Sequence, residues 1–412
     1  MTADRQAALR QDETDPLRQM RAEFLLPDGV IYLDGNSLGP LPRRARDRVA
    51  RAVEQEWGHD LIRSWNSAGW FNLPATVGAK LARLIGADAD EVVAADSTSI
   101  NLFKLMVAAA RLRPGRPVIL SDSGNFPTDL YIGQGVADLL GQGFEMRVVG
   151  RDEVLAAIDE TVALVVLTEV DFRDGRRHDV PAITAAAHRA GALILWDLCH
   201  TAGALPVDLN GVGADLAVGC GYKYLNGGPG APAFLFVARR LQNDIRPPLS
   251  GWWGHDRPFD FVTEYRAAQG IQRNLCGTQP ILSFSALDAA LDLWDGIDMA
   301  LVRAKSVALC ESFIALVERD CGEFGLTLAS PREAARRGSQ VSFRHAEGYA
   351  IMQALIARGV IGDFRAPDVL RFGFAPLYIR HVDVVDAVAI LRDILATRAW
   401  DVPEFKNRSA VT

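Results

Sequence analysis

Seven short apolar runs lie between residues 92 and 237, and their spacing restricts the fold more than any other feature of the chain. Each run has the length of a strand, and most are separated by segments long enough for a helix. The runs are residues 92–95, 118–121, 144–149, 163–168, 192–196, 215–219 and 233–237. Strands that alternate with helices in this way predict an α/β fold with a mostly parallel sheet, joined by right-handed crossovers and flanked by helices.

Two side chains capable of chemistry follow neighbouring apolar runs. Asp197 comes directly after the run at 192–196, and Lys223 follows the run at 215–219. Open parallel sheets bind ligands at their carboxyl edge, so we expect the two side chains to converge there. An aspartate that pairs a pyridinium nitrogen and a lysine that forms an imine are what pyridoxal phosphate requires of a protein. Taken singly, Asp197 is more simply a helix cap and Lys223 an exposed lysine; together they favour this cofactor.

Lysine is scarce in the chain, which narrows the choice of an imine-forming residue. The 44 basic residues include only five lysines, and the rest are arginines, which cannot form an imine. Lys80, Lys104 and Lys305 lie in helical patterns, and Lys406 lies in a polar tail. Only Lys223 follows a strand and precedes a glycine-rich turn, so it is the predicted imine lysine.

Composition argues against several other classes of protein. The 412 residues carry a net charge of −7, and no basic cluster is long enough to predict binding to nucleic acid or to an anionic membrane. No apolar run reaches the length of a membrane span, and the charged first 15 residues do not resemble a signal peptide, so we expect a cytoplasmic protein. The five cysteines form no CxxC pair, which argues against zinc and disulfide frameworks and predicts no metal site.

The pattern changes after Ser330 to strand, helix, strand and a last helix, which predicts a small C-terminal α+β domain. We therefore expect three units: an N-terminal arm at 1–40 that packs with the small domain, a large cofactor-binding α/β domain at 41–290, and the small domain at 291–412. Within the arm, residues 1–27 predict one amphipathic helix.

Two strand-to-helix junctions offer further candidates for cofactor binding. At the first, Ser97, Thr98 and Ser99 place hydroxyl groups at a helix N-terminus, where free N–H groups attract a phosphate. Ordinary helix capping is the alternative there. At the second junction, the Phe126 ring is suited to stacking on an aromatic cofactor and Asp129 to accepting a hydrogen bond beside it. A hydrophobic staple and a cap are the alternative.

Three more polar side chains are candidates. His200 comes shortly after Asp197 and is placed to order that acid or to reach a phosphate, and Tyr222, next to Lys223, is a candidate proton donor or phosphate partner. Arg371 lies inside a mostly apolar strand, where an arginine must be paired. A substrate carboxylate fits its two-pronged guanidinium, and a structural salt bridge is the alternative.

Nine motifs spread over nearly the whole chain are specific in combination. They are YLDGNSLG, LIRSWNSAGW, NFPTDLY, WDLCHTAGALPVDL, YKYLNGGPG, LSGWWGH, CGTQP, PREAARRGSQVSF and RFGFAPLY. With these motifs the chain resembles the kynureninases, which are fold-type I pyridoxal-phosphate enzymes with an aminotransferase-like architecture. It departs from the family's DLAHSAGA motif at Cys199 and Thr201, where the family has smaller residues; Asp197 and His200 are unaffected.

The resemblance implies a role for each candidate residue. Lys223 would carry the cofactor as an imine, Asp197 would pair the pyridine nitrogen, and Phe126 would stack on the ring. Arg371 would take the carboxylate of the amino-acid substrate, and Tyr222 is our choice of general acid and base. The residues that would hold the phosphate end are Ser97, Thr98, Tyr222, Trp252 and Thr278. The residues that would surround the ring are Asp129, Thr168 and His200.

The resemblance also implies an activity and an assembly. Kynureninases cleave the Cβ–Cγ bond of L-kynurenine by hydrolysis to give anthranilate and L-alanine, a step of tryptophan catabolism on the kynurenine pathway, which also serves NAD biosynthesis. We expect a homodimer with shared active sites, in which Trp252 and Thr278 enter the site of the partner. Thr278 stands where relatives that favour 3-hydroxykynurenine have an asparagine, which predicts a preference for unsubstituted kynurenine.

Two other functions share this architecture. The first is a different fold-type I reaction, that of an aminotransferase or a cysteine desulfurase; a desulfurase needs a mobile catalytic cysteine, whereas Cys310 and Cys321 lie in a helical pattern. The second is a non-catalytic regulatory protein that binds pyridoxal phosphate. Such a protein has no need to keep Lys223, Asp197 and Arg371 together.

Overall fold

The computed structural model describes residues 2–407, and its N-terminal arm is in two parts. Helix α1 (Ala3–Thr14) is capped by Thr2, whose hydroxyl accepts a hydrogen bond from the Arg5 amide at 3.3 Å. A 3-10 turn at Arg18–Glu23 follows. The single helix predicted over residues 1–27 is therefore wrong, and its first residue lies outside the described part. Pro16 explains the break, because proline disfavours helical backbone at the residue before it.

The remaining elements follow in chain order, and strands alternate with helices between Val92 and Asp197 as the apolar runs predict. Those up to the end of the large sheet are β1 (Ile31–Tyr32), α2 (Arg43–Arg51), α3 (Ser64–Ser67), α4 (Leu73–Leu84), β2 (Val92–Ala94), α5 (Thr98–Arg111), β3 (Val118–Asp122), α6 (Pro127–Leu140), β4 (Glu145–Val149), α7 (Val154–Ala157), β5 (Val162–Thr168), α8 (Val180–Arg189), β6 (Leu193–Asp197), β7 (Leu216–Gly219) and β8 (Phe234–Val237). The later ones are α9 (Arg239–Gln242), α10 (Ile281–Leu291), α11 (Met299–Cys321), β9 (Thr327–Leu328), β10 (Gln340–Arg344), α12 (Gly348–Ala357), β11 (Val360–Ile361), β12 (Asp363–Arg365), β13 (Val369–Gly373), α13 (His381–Thr397) and α14 (Pro403–Lys406).

A seven-stranded sheet in the order β2-β8-β7-β6-β5-β3-β4 forms the centre of the fold. Every neighbouring pair is parallel except the two pairs that involve β8, which runs antiparallel to β7 and β2. The strand β5 is buried along its whole length, as expected for a parallel strand covered on both faces. The predicted α/β fold with a mostly parallel sheet is confirmed. The direction of β8 follows from its connection, since no crossover helix separates it from β7.

A second, antiparallel sheet in the order β12-β13-β10-β9 lies in the C-terminal part of the chain, where α11 packs against α13. The N-terminal arm joins this part: β1 pairs in parallel with β11, and Lys305 on α11 forms an ion pair with Asp15 at 2.6 Å. The helix α10 instead contacts α2 and α4. These contacts favour an arm that packs with a small domain; the division at 1–40, 41–290 and 291–412 stays a prediction, and residues 408–412 lie outside the described part.

Candidate active site

Asp197 stands at the carboxyl end of β6, in the middle of the large sheet, with only 2% of its surface exposed. Its Oδ1 accepts a hydrogen bond of 2.6 Å from the amide of Cys199. Burial raises the pKa of this carboxyl group, and the hydrogen bonds from Cys199 and the charge of Lys223 oppose the rise. A buried acid in this position needs a cationic or N–H partner to stay ionised.

Lys223 lies in the loop between β7 and β8, beside the same sheet edge. Its Nζ donates to Nε2 of His200 at 2.9 Å and lies 5.8 Å from the centre of the Phe126 ring and 5.9 Å from that of Tyr222. All five lysines belong to the described residues, and Lys223 is the one without a carboxylate partner. The other four form ion pairs with acids, namely Lys80, Lys104, Lys305 and Lys406.

His200 and Tyr222 lie beside the lysine, and their pKa values are shifted in opposite directions. Burial, and then the positive charge of Lys223, lower the pKa of His200 well below its usual value, so the ring is neutral and accepts the lysine's hydrogen bond. Burial raises the pKa of Tyr222, so its hydroxyl group stays protonated. The neighbouring Tyr224 points away and donates to the carbonyl of Ser339 at 2.9 Å.

The opposite wall of the site comes from β5 and the start of α6. Thr168 ends β5, and its hydroxyl donates to Oδ1 of Asn125 and lies 3.4 Å from Oδ2 of Asp129. Burial, and then the negative charge of Asp197, raise the pKa of Asp129 well above its usual value. The Oδ1 of Asp129 and the Nδ1 of His200 are buried without a hydrogen-bond partner. Two carboxyl groups therefore meet near one lysine, with polar atoms left unsatisfied.

The helix α5 begins at the rim of this site, and its first residues divide between two tasks. Ser97 is the N-cap: its hydroxyl accepts a hydrogen bond of 3.4 Å from the Ile100 amide, which is the capping alternative weighed from the sequence. Thr98 and Ser99 line the cavity, and the Thr98 hydroxyl lies 3.7 Å from Sγ of Cys199. Of the three hydroxyl-bearing residues, the second and third are thus the ones placed to meet a phosphate.

The site encloses a cavity of about 120 Å³. Its lining residues are Thr98, Ser99, Phe126, Thr128, Asp129, Thr168, Asp197, Cys199, His200, Tyr222 and Lys223. Eight of them are predicted site residues, which the fold brings together from five separate stretches of sequence. Thr128 and Cys199 were not candidates, and Ser99 was named only with its neighbours at the start of α5, without a role of its own. Each lies next to a predicted residue, but the sequence did not show that its side chain faces the cavity.

Trp252 and Thr278 line a different cavity of about 530 Å³, which shares no lining residue with the first. Its other walls are aromatic or apolar apart from Asn66, and Trp252 is 41% exposed. Within one chain, therefore, the structure does not bring these two predicted residues together with Lys223.

Arg371 lies on β13 and is only 2% exposed. Its Nε donates to Oδ1 of Asp363 at 2.7 Å and one Nη contacts Oδ2 of the same carboxylate, in the two-pronged geometry. Its remaining contacts are the Ser37 hydroxyl at 2.7 Å and the Phe172 carbonyl at 2.6 Å. The salt bridge that was the alternative interpretation is thus present, and the role in substrate binding stays a prediction.

Among residues 2–407, no group of three or more His, Cys, Asp or Glu side chains is arranged to hold a metal ion. In the same range, no helix has both the length and the apolar character needed to cross a membrane.

Comparison with known proteins assigns the chain to a family. It is 54% identical over 413 residues to a kynureninase of Burkholderia mallei and 52% identical to a kynureninase of Pseudomonas fluorescens; each match covers 99% of both proteins. The family model described as the kynureninase C-terminal domain matches residues 302–391. The chain belongs to the kynureninase family.

Solved structures of lower identity share the fold of this kynureninase-family chain. A cysteine desulfurase of Thermococcus onnurineus superposes with a TM-score of 0.77 at 18% identity, covering 92% of this chain and 98% of that one. A C-DES mutant with glycine covalently linked to its PLP cofactor also has a TM-score of 0.77, at 19% identity and 90% and 99% coverage. The chain therefore has the fold-type I architecture. The fold alone does not distinguish kynureninases from desulfurases.

Proposed function

We propose that this protein is a pyridoxal-phosphate-dependent kynureninase that hydrolyses L-kynurenine to anthranilate and L-alanine, and uses 3-hydroxykynurenine less well. The observation that carries the proposal is the position of Lys223. Among the described residues, it is the one lysine without a carboxylate partner. Its Nζ donates to His200, and it lies beside the edge of the sheet where β6 ends at Asp197. It lies in a chain that matches kynureninases over 99% of its length.

The residues of the 120 Å³ cavity fit pyridoxal phosphate by their chemistry. Asp197 and Asp129 are buried acids that require a positively charged or N–H partner, which a pyridinium ring supplies. The amine of Lys223 is the nucleophile that an aldehyde requires. The start of α5, with Thr98 and Ser99, offers N–H groups and hydroxyls to a phosphate. Within the described residues, the Oδ1 of Asp129 and the Nδ1 of His200 at this cavity are buried without a hydrogen-bond partner.

The cofactor supplies an electron sink for the charge that develops at the substrate α-carbon. The carboxylate of Asp197 would keep a proton on the ring nitrogen and so keep that sink effective. Lys223 would hold the cofactor through Nζ, and its amine would move the proton of the substrate α-carbon. His200, being neutral, holds Nζ by accepting its hydrogen bond. Phe126 closes one side of the cavity and Thr168 orients Asp129.

Tyr222 is the residue that we assign to proton transfer at the side chain of the substrate. Its raised pKa keeps the hydroxyl group protonated at neutral pH, so it begins as a general acid. As water adds to Cγ of the kynurenine ketone, Tyr222 would donate its proton to the ketone oxygen and take one back from the added water, which returns the residue to its starting state. Collapse of the hydrated ketone would then break the Cβ–Cγ bond: Cγ becomes the carboxylic acid of anthranilate, and Cβ keeps the electron pair and takes the proton that the hydrate releases, to become the methyl group of L-alanine.

Shared active sites in a homodimer are supported by the second cavity. Trp252 and Thr278 line it far enough from Lys223 that the two sets have no lining residue in common. The segments around it expose large apolar side chains, among them Ile62 at 76% and Phe259 at 58%. Such a patch is typical of a surface that a partner covers. We therefore propose that Trp252 and Thr278 complete the site of the other subunit.

The cellular setting follows from the proposed reaction. We assign the protein to tryptophan catabolism on the kynurenine pathway, a pathway that also serves NAD biosynthesis, and we propose a cytoplasmic location. All five cysteines are free thiols, which favours a reducing compartment.

The competing fold-type I reactions give different products, so product analysis decides between them. With L-kynurenine and pyridoxal phosphate, we expect anthranilate, followed by its fluorescence, and L-alanine in equal amounts. A transaminase would instead consume a 2-oxo acid, and a desulfurase would release sulfide from L-cysteine. Absence of anthranilate in the presence of either of those activities would contradict the proposal.

The side chain of Thr278 sets the expected preference between substrates. It cannot reproduce the hydrogen bonds that an asparagine amide would offer to a ring hydroxyl group. We therefore predict a kcat/KM for L-kynurenine roughly tenfold or more above that for 3-hydroxykynurenine. A competition assay that favours the hydroxylated substrate would contradict this assignment.

A further inference from the structure

The turn Asp34–Ser37 connects the surroundings of Arg371 to the loop that carries Lys223. On one side, the amide of Gly373 donates to the Leu33 carbonyl at 2.7 Å; on the other, the amide of Gly39 donates to the carbonyl of Tyr222 at 2.7 Å. The turn is tightly packed, because a Cβ atom on Gly35 would lie only 2.2 Å from the Tyr378 hydroxyl. Its side chains are therefore held in fixed positions against both parts of the site.

Arg371 belongs to a buried charge cluster that this turn completes. Asp363 pairs with Arg371 and also accepts from Arg365 at 2.8 Å, and the hydroxyl of Ser37 donates to Asp363 at 2.8 Å while accepting from Arg371 at 2.7 Å. Nearly all the N–H groups of Arg371 are engaged. A substrate carboxylate therefore cannot form a two-pronged ion pair with a free Arg371. Its attraction to this part of the site depends on the net charge of the whole cluster.

Asp34 is the second acid of the cluster and differs from Asp363 in its partners. Its Oδ1 is buried and has no hydrogen-bond partner, and the residue lies in the same short turn as Ser37, whose hydroxyl donates to Asp363 at 2.8 Å. Burial, and then the negative charge of Asp363, raise the pKa of Asp34 to about 7, although Arg371 opposes the rise. Burial acts to raise the pKa of Asp363 as well, but Arg371, Arg365 and the Ser37 hydroxyl outweigh it and lower that pKa, so Asp363 stays ionised.

The other titratable groups that face Asp34 do not change charge near neutral pH. They are Tyr32, Tyr224, Tyr378, Arg365 and Arg371. Burial raises the pKa of all three tyrosines, which therefore stay neutral, and both arginines stay positive. With Asp34 protonated, two arginines and one carboxylate leave one positive charge. With Asp34 ionised, the cluster is neutral.

We propose that Asp34 is a positioning residue for the α-carboxylate of the substrate: when protonated, it leaves the Arg365–Arg371–Asp363 cluster positively charged, and when ionised, it cancels that charge and weakens binding. The inference rests on the proposed function for the identity of the substrate. It concerns affinity rather than bond cleavage, since Asp34 acts through Arg371 and does not touch the reacting atoms.

The test is the pH dependence of KM and kcat for L-kynurenine. In the unaltered holoenzyme, KM should rise about tenfold between about pH 6 and about pH 8.5, while kcat changes much less. In Asp34→Asn, which mimics the protonated acid, KM should stay low over this range. Asp28→Asn is the matched control, because it removes an exposed charge from the same arm and should keep the rise. The α-amino group of the substrate titrates equally in all three proteins.

A flat KM in the unaltered enzyme, or an undiminished rise in Asp34→Asn, would overturn the inference. If Asp34→Asn does not fold, the decarboxylated analogue kynuramine replaces it as an inhibitor of the unaltered enzyme. Its inhibition constant should lack the rise seen with kynurenine, and a parallel rise would overturn the inference.

The inference and the proposed function fail separately. If no protein turns over kynurenine at any pH, the proposed function is wrong. The affinity of the holoenzyme for L-alanine, measured by calorimetry, then takes the place of KM. That affinity should fall with pH in the unaltered protein and stay constant in Asp34→Asn; equal pH dependence in the two would overturn the inference.

Discussion

The carboxyl group of Asp197 is buried in a position where its ionised form is disfavoured unless a partner is present. Burial raises its pKa, while the amide of Cys199 and the charge of Lys223 hold the increase down. A ring N–H placed against the carboxylate would offset the burial and keep the ring protonated.

Asp197→Ala tests this role. The variant should still bind pyridoxal phosphate through Lys223 and the start of α5, but kcat should fall by roughly 100-fold to 1000-fold, because the ring is no longer held protonated. Exchange of the α-proton of L-alanine in deuterated water, followed by NMR, measures the affected step directly. Exchange at the unaltered rate would show that Asp197 does not have this role.

The sequence indicates single reactive residues better than their partners. Lys223 could be chosen because lysine is scarce and its local context is unusual. The pairing of Arg371 with Asp363 depends on the register of β12 against β13, which places the two residues opposite each other. That register is fixed by tertiary packing, so composition and spacing offered a salt bridge of Arg371 as an alternative but did not identify Asp363 as its partner. Nor did they show which hydroxyl groups after β2 face the cavity.

At the scale of elements, the N-terminal arm lies very close to the loop between β7 and β8 that carries Lys223. The turn that begins at Asp34 reaches the loop at Gly39, where a Cβ atom would lie 2.4 Å from Oδ1 of Asn226 and 2.5 Å from the carbonyl oxygen of Lys223. The loop is therefore held by backbone contacts that leave no room for a side chain.

Gly39→Ala tests this contact. The substitution should lower the free energy of unfolding by about 1–3 kcal/mol through overpacking and should reduce activity by displacing Lys223. Gly135→Ala is the control, because that position in α6 has no atom within 4 Å of the added Cβ; it should be neutral or stabilise by about 0.5–1 kcal/mol. Chemical denaturation and anthranilate release measure the two effects. Equal behaviour of the variants would contradict the account.

The type of each element was predictable from the sequence where the hydrophobic pattern was strong. It was less predictable where a helix is interrupted or a strand reverses direction. The strands of the large sheet lie within a residue or two of the predicted runs, because buried parallel strands are continuous apolar segments. The helix predicted over residues 1–27 ends at Thr14, since Pro16 overrides an otherwise helical pattern. The reversal of β8 follows from its helix-free connection to β7, and the apolar run of β8 itself does not show it.

On the scale of the whole molecule, the account requires two chains for each active site. Trp252 and Thr278 lie in a cavity separate from that of Lys223, and the segments around it are apolar and exposed. A loop that serves only its own chain is the alternative.

Subunit mixing separates the two arrangements. Lys223→Ala and Trp252→Ala should each be nearly inactive alone. If sites are shared, each mixed dimer has one site with both substitutions and one native site, so equal mixing restores on the order of one quarter of the native sites. If each chain builds its whole site, every site keeps a substitution and no activity returns. Failure to recover activity, with subunit exchange verified by mass spectrometry, would exclude shared sites.

The central claim is that Lys223 holds pyridoxal phosphate and that kynurenine hydrolysis depends on this attachment. Borohydride reduction of the holoenzyme, followed by digestion and peptide mapping, tests it most directly. We expect the pyridoxyl group on Lys223, anthranilate production to fall in proportion to the labelling, and Lys223→Ala to be neither labelled nor active. Labelling of Lys80, Lys104, Lys305 or Lys406 in place of Lys223, or full activity in the Lys223→Ala protein, would contradict the account.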